Sequence, residues 1–207
     1  MQIELQNLGK RFSRQWIFRK ISYTFTAGNA YAIVGPNGSG KSTLLQVIAG
    51  AVEKSEGNII FQDGSTRLAP EIHFHQISLA APYLELVEEL TLKEFLLFHH
   101  SFKPFSSAFS VPFIIEYLGL QAAAHKQIRY FSSGMKQRVK LAQAVFSDVP
   151  VVILDEPTAN LDLDGIALYQ QMVKDYFTDR LLLIGSNDEE EIKMCSGRLN
   201  VNDFKRW

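Results

Sequence analysis

Apolar and polar positions alternate in MQIELQNL and again in WIFRKISYTFT. That is the period of a half-buried strand, so the chain is predicted to open with antiparallel sheet. AYAIVG is a short apolar strand that runs into a glycine-rich turn, and KSTLLQVIAG changes to a helical period closed by Gly50. NIIFQDG and IHFHQISLA read as further strands. From about Leu92 helical spacing takes over in LKEFLLFHH and VPFIIEYLGL, and another helix is predicted from Ser133 through Phe146. VVILDE is a continuous apolar run, suited to a parallel strand covered on both faces. LDGIALYQQMVKDYF follows as an amphipathic helix, RLLLIG as a strand, NDEEEIKMC as a helix and RLNV as a last short strand. Strands alternating with helices predict an α/β core, with residues 81–137 as a helical insert.

The 207 residues and their 46% hydrophobic content are enough for a sizeable core. A formal net charge of -1 leaves no electrostatic footprint for nucleic acid. Lys10, Arg11, Arg14, Arg19 and Lys20 cluster, which reads as a solvated hairpin face. Cys195 is the only cysteine, so an internal disulfide is excluded; its context suits a small buried thiol. The start of the chain has no apolar signal region, and no apolar run approaches membrane-spanning length. A cytoplasmic protein is expected, touching a membrane only through a partner.

The chemistry concentrates in GPNGSGKST, from Gly35 through Pro36, Asn37, Gly38, Ser39, Gly40, Lys41 and Ser42 to Thr43. It satisfies G-x-x-x-x-G-K-[ST] between a predicted strand and a predicted helix. Gly38 and Gly40 let successive N–H groups turn inward as an anion nest. Lys41 is expected against the β- and γ-phosphates of a nucleotide, and Ser42 on Mg²⁺. In VVILDEP, Asp155 ends a strand where it can hold that Mg²⁺. Glu156 follows at once; two adjacent carboxylates favour a nearby cation, and Glu156 is placed to act as general base on water.

Together with FSSGM and ANLD, these pieces resemble the ATP-binding cassette (ABC) ATPases over almost the whole chain. GPNGSGKST is similar to their Walker A, VVILDEP to Walker B, FSSGM to the signature usually written LSGGQ, and ANLD to the D-loop ending at Asp162. The resemblance implies a P-loop core with a mostly parallel central sheet, an N-terminal antiparallel β subdomain and a helical subdomain carrying the signature. The core and β subdomain would span residues 1–80 and 138–207, and the helical subdomain about 81–137. The resemblance also implies ATP and Mg²⁺ as ligands. Two cassettes, identical or not, would pack head to tail, so that Ser132, Ser133 and Gly134 of one grip the nucleotide on the other. Phe12 falls where the family stacks an aromatic on adenine, with Trp16 as the nearby competitor.

Two positions depart from the family. Pro82 stands where the Q-loop glutamine is expected, and Asn187 where the switch histidine is expected. Proline offers no side-chain hydrogen bond; asparagine offers a neutral one but carries no proton. ATP binding and closure are therefore expected to persist with slower hydrolysis. A missing transition-state hydrogen bond costs on the order of 2–4 kcal/mol.

The expected function is the ATPase subunit of a transporter whose membrane-spanning part is a separate chain. The alternatives are a soluble ABC ATPase acting on nucleic acid or ribosomes, and a slow-turnover regulatory cassette. The interval from Thr43 to Phe131 lacks the long heptad insert of repair-type members, and there is one cassette, so direct nucleic-acid contact is not expected. His73 and His75 are expected on one face of a strand, and with His99 and His100 read as structural or surface residues. Glu88, Glu89, Lys93 and Glu94 read as a solvated helix start.

Overall fold

The computed structural model describes residues 1–177 and 179–205; residues 206 and 207, the end of the expected core, lie outside the described residues. The chain folds as two compact units. The first holds residues 1–79, 149–155 and the described residues from 177 onward; the second holds 80–148 and 156–176.

In the first unit, β1 (Gln2–Phe12) and β2 (Gln15–Thr26) form an antiparallel hairpin. Its tight turn places Ser13 at a positive φ of 52°, which the two-residue hairpin requires. After β3 (Ala30–Val34) and α1 (Lys41–Ile48) come β4 (Glu56–Asp63) and the two-residue β5 (Thr66–Arg67). These strands complete a four-stranded sheet of order β2-β1-β4-β5. A second sheet contains β6 (Ile77–Ala80), β7 (Val151–Asp155), β8 (Leu181–Gly185) and β9 (Gly197–Asn200), in the order β6-β7-β8-β3-β9. The pairs β7–β8, β8–β3 and β3–β9 are parallel. As the continuous apolar runs predict, every residue of β7 and β8 is buried. Ile3, Leu5, Phe18, Phe25 and Phe61 of the antiparallel sheet share one core with Leu44 and Leu45 of α1 and Ile33, Ile153 and Leu183 of the parallel sheet.

One predicted strand is corrected. In IHFHQISLA only the second half is extended; Pro70–Gln76 is a 3₁₀ helix. Pro70 starts it, where proline's fixed φ is already helical. His73 and His75 therefore do not alternate on a strand face. His73 stacks on Phe61 with centroids 4.1 Å apart, and His75 lies against Phe74.

The second unit carries α2 (Leu92–Phe102), α3 (Val111–Tyr117), α4 (Ser133–Val145) and α5 (Leu163–Tyr176). Thr91 and Glu94 close a capping box on α2: the Thr91 hydroxyl accepts from the Glu94 N–H, and the Glu94 carboxylate accepts from the Thr91 N–H. The acids read as a solvated face are paired: Glu88 with Lys136 and Glu89 with Arg129. The short α6 (Glu189–Ile192) returns to the first unit, less than half the length of the predicted helix segment.

Candidate functional site

The parallel register gathers the first set of predicted residues. Asp155 pairs with Gly185, and Gly185 with Ile33. The ends of β7, β8 and β3 are thus level, and the chain leaves each at its carboxyl edge, where open α/β sheets place ligands. From β3 it enters GPNGSGKST; from β8 it reaches Asn187 within two residues.

The loop has the backbone that its glycines allow. Gly35, Gly38 and Gly40 have φ of 144°, 74° and 104°. A Cβ on Gly38 would meet nothing within 4 Å, so Gly38 answers to backbone conformation, not crowding. Pro36, Asn37 and Gly38 are exposed at the loop tip, whereas Gly35 and Ser39 are buried. The Ser39 hydroxyl is buried without a hydrogen-bond partner. Gly40 caps α1 without a side-chain hydrogen bond, and no acid occupies the first turn. The helix N-terminus therefore keeps donors and a positive dipole end for an anion. Lys41, only 6% exposed, donates to the Gly35 carbonyl at 2.9 Å. A buried ammonium held by a neutral carbonyl is completed by an anionic ligand. The donors suit a magnesium nucleotide: N–H groups and an ammonium for phosphate, and the oxygens of half-buried Ser42 and buried Asp155 for a hard cation. Thr43 follows on α1, half-buried.

Gly185 makes room for Asp155. A Cβ there would lie 2.6 Å from Asp155 Oδ1 and 2.6 Å from Leu45 Cδ1. Glu156 is exposed and has a φ of +44°, uncommon for a residue with a Cβ. Asn187 is tied to the loop: its Oδ1 accepts the Gly35 N–H at 3.0 Å. No periodicity or motif announces that bond.

Phe12 ends β1 beside the hairpin turn, 50% exposed, with the Lys10 ammonium 4.5 Å from its ring centroid. Its competitor Trp16 has the Arg11 and Arg19 guanidinium groups 5.5 and 4.6 Å from its ring.

The second unit carries the remaining residues. Ser132 and Ser133 are exposed at the start of α4, and Ser132 Oγ accepts the Met135 N–H at 3.2 Å. A Cβ on Gly134 would lie 3.1 Å from the Asn160 carbonyl oxygen, so the signature turn lies close to the D-loop backbone. Two residues that the sequence reading missed fasten the same turn. Gln137, 3% exposed, donates to the Pro157 carbonyl at 2.9 Å, and Arg138 donates to Asp162 at 2.9 Å. Asp162 also accepts the Gly165 N–H at 2.8 Å, capping α5. That backbone donor first, and Arg138 second, hold its carboxyl below the usual range. At the Q-loop position, the Pro82 carbonyl accepts from Lys140 Nζ at 2.9 Å.

The family model described as ABC transporter matches residues 18–159, more than half of the chain. The chain belongs to the ABC transporter family. Among its ABC relatives, the cytochrome c biogenesis ATP-binding export protein CcmA of Brucella abortus is 31% identical over 190 residues, covering 90% of this chain and 85% of that protein. The uncharacterized ABC transporter ATP-binding protein YybJ of Bacillus subtilis is 30% identical over 203 residues, 97% of this chain and 92% of that one. A solved ATP-binding subunit of an ABC transporter superposes with a TM-score of 0.83 at 26% identity, over 98% of this chain and 87% of that chain. This ABC cassette is thus an ATP-binding ATPase of the ABC fold, as its motifs imply. Among its described residues, no helix is long and apolar enough to cross a membrane.

Proposed function

We propose that this chain is the ATP-driven subunit of an export transporter. Two copies would close around MgATP, and a separate membrane-spanning chain would carry the cargo path. The observation that carries the reading is the pairing of Lys41 with a bare loop carbonyl at an uncapped helix N-terminus, beside the oxygens of Ser42 and Asp155. Export is favoured because relatives such as CcmA of Brucella abortus are named ATP-binding export proteins. A second copy suffices, because one chain carries the cradle on its first unit and an exposed signature helix on its second.

In this reading the N–H groups of Gly38 and of residues 40–43 and the Lys41 ammonium hold the phosphates, and Phe12 stacks on adenine. Ser42 and Asp155 would hold Mg²⁺, which would neutralise charge on the phosphate oxygens. Glu156 takes a proton from water as that water attacks the γ-phosphorus and ADP departs. Asn187, with its oxygen committed to Gly35, turns its amide N–H toward the γ-phosphate. Ser132, Ser133 and Gly134 of the second copy donate to the same phosphate. Asp162 acts through loop shape, since its carboxylate is engaged by Gly165 and Arg138.

The test is MgATP turnover and binding of Lys41→Ala beside the parent. The reading predicts that turnover falls at least about 100-fold, the scale of losing one charged transition-state donor, with the fold intact by circular dichroism. Unchanged turnover would refute it.

A further inference from the structure

The carboxyl-terminal segment meets the phosphate loop at three successive points, and no sequence motif accounts for this. The parallel register pairs Val34 with Asn200, so the residues after β9 emerge beside the loop that follows β3. Asn200 then caps a 3₁₀ turn, Val201–Phe204, its side chain accepting the Asn202 N–H at 3.0 Å. Val201 is fully buried and Phe204 packs against the core, so the turn is anchored. A Cβ on Gly35 would lie 3.3 Å from Asn200 Oδ1, and one on Gly40 would lie 3.7 Å from Val201 Cγ1. Between these contacts, Lys205 Nζ donates to the Gly38 carbonyl at 3.3 Å.

We infer that Lys205 is a positioning and electrostatic residue of the nucleotide site, a second ammonium supplied to the polyphosphate from the far end of the chain. The inference rests on the nucleotide reading of the loop and adds a residue to it. In an anion nest the N–H groups turn inward and the carbonyls outward. The Ser39 N–H of the same peptide donates to the Pro36 carbonyl at 2.9 Å, so an ammonium on the Gly38 carbonyl braces that turn from its other side and fixes the loop in the shape that presents its remaining N–H groups. It also adds positive potential at the exposed tip of the loop, where Pro36, Asn37 and Gly38 carry no charge. The anchored turn lowers the entropy cost of keeping a lysine head there. Its contribution belongs to binding, because it reaches the site only through a backbone carbonyl at the exposed tip of the loop.

The experiment is calorimetric titration of the full-length chain with magnesium and the non-hydrolysable analogue AMP-PNP, at low and high salt. Parent, Lys205→Ala, Lys205→Arg and Lys205→Glu are compared, with Lys41→Ala as control. Lys205→Ala is expected to weaken binding about 5-fold at low salt, Lys205→Glu more, and Lys205→Arg little; the differences shrink as salt screens the exposed charge. In turnover assays Lys205→Ala is expected to raise the KM for MgATP about as much as it weakens binding. Binding of Lys205→Ala equal to the parent, or a loss that salt does not change and arginine does not restore, overturns the inference. Failure of the nucleotide reading itself shows separately, as a parent that does not bind or a Lys41→Ala variant that binds as the parent does.

Discussion

Asn187 stands where the family's histidine is expected, and its environment defines what it can do. Its oxygen accepts the Gly35 N–H across 152 residues of sequence, which leaves the amide N–H groups as its only donors. Asn187→Leu removes both the loop anchor and the donor; turnover is expected to fall by about 100-fold, the lower side of losing one polarising donor. Asn187→His restores a group that accepts from Gly35 through one ring nitrogen and donates through the other; turnover is expected to rise. Steady-state phosphate release from both variants checks this. The placing of Gly35, Lys41, Ser42 and Asp155 at the carboxyl ends of the parallel strands was legible, because a glycine-rich loop after a strand and an acid closing an apolar strand each follow from a local pattern. The ties of Asn187 to Gly35 and Lys205 to Gly38 were not legible, because their partners are brought together only by the order of the parallel sheet.

Elements were legible where one period dominates. The alternation in β1 and β2 and the unbroken apolar runs of β7 and β8 leave little choice of structure. Residues 72–76 were misread because the apolar-polar alternation in IHFHQ mimics a strand, while Pro70 starts a 3₁₀ turn that runs through them. Helix α2 holds a titratable group with a readable consequence. His99 Nε2 bonds the Ser147 hydroxyl at 3.0 Å, and that hydroxyl donates to the Gln143 carbonyl at 2.6 Å. Burial first, and the nearby Lys103 charge second, push the His99 ring from its usual 6.5 down to about 4. The folded chain therefore keeps this ring neutral where the unfolded chain protonates it. The stability it contributes is complete above the unfolded value and is lost progressively as pH falls from 6.5 toward 4. The loss is on the order of 3 kcal/mol. Chemical denaturation across this range should show a shallower acid decline in His99→Gln than in the parent; equal declines would exclude His99 as its source.

At the scale of the molecule, the two units divide the motif residues between them. The first carries the phosphate loop, Asp155 and Asn187; the second carries Glu156, the signature turn and the D-loop. The signature serines are exposed at the start of α4, and the turn behind them is braced by Gln137 on Pro157, Arg138 on Asp162 and the close approach of Gly134 to Asn160. Such bracing suits the proposed dimer, in which this surface would meet a phosphate on another molecule without reorganising. The central claim is that two copies share the nucleotide. Sedimentation velocity of Glu156→Gln with and without saturating MgATP tests it most directly, because trapped ATP has no route to loosen the pair. The account predicts single chains without nucleotide and a twofold assembly with it, lost again when Ser132 and Ser133 are both changed to bulky residues. Single chains at every MgATP concentration would contradict it.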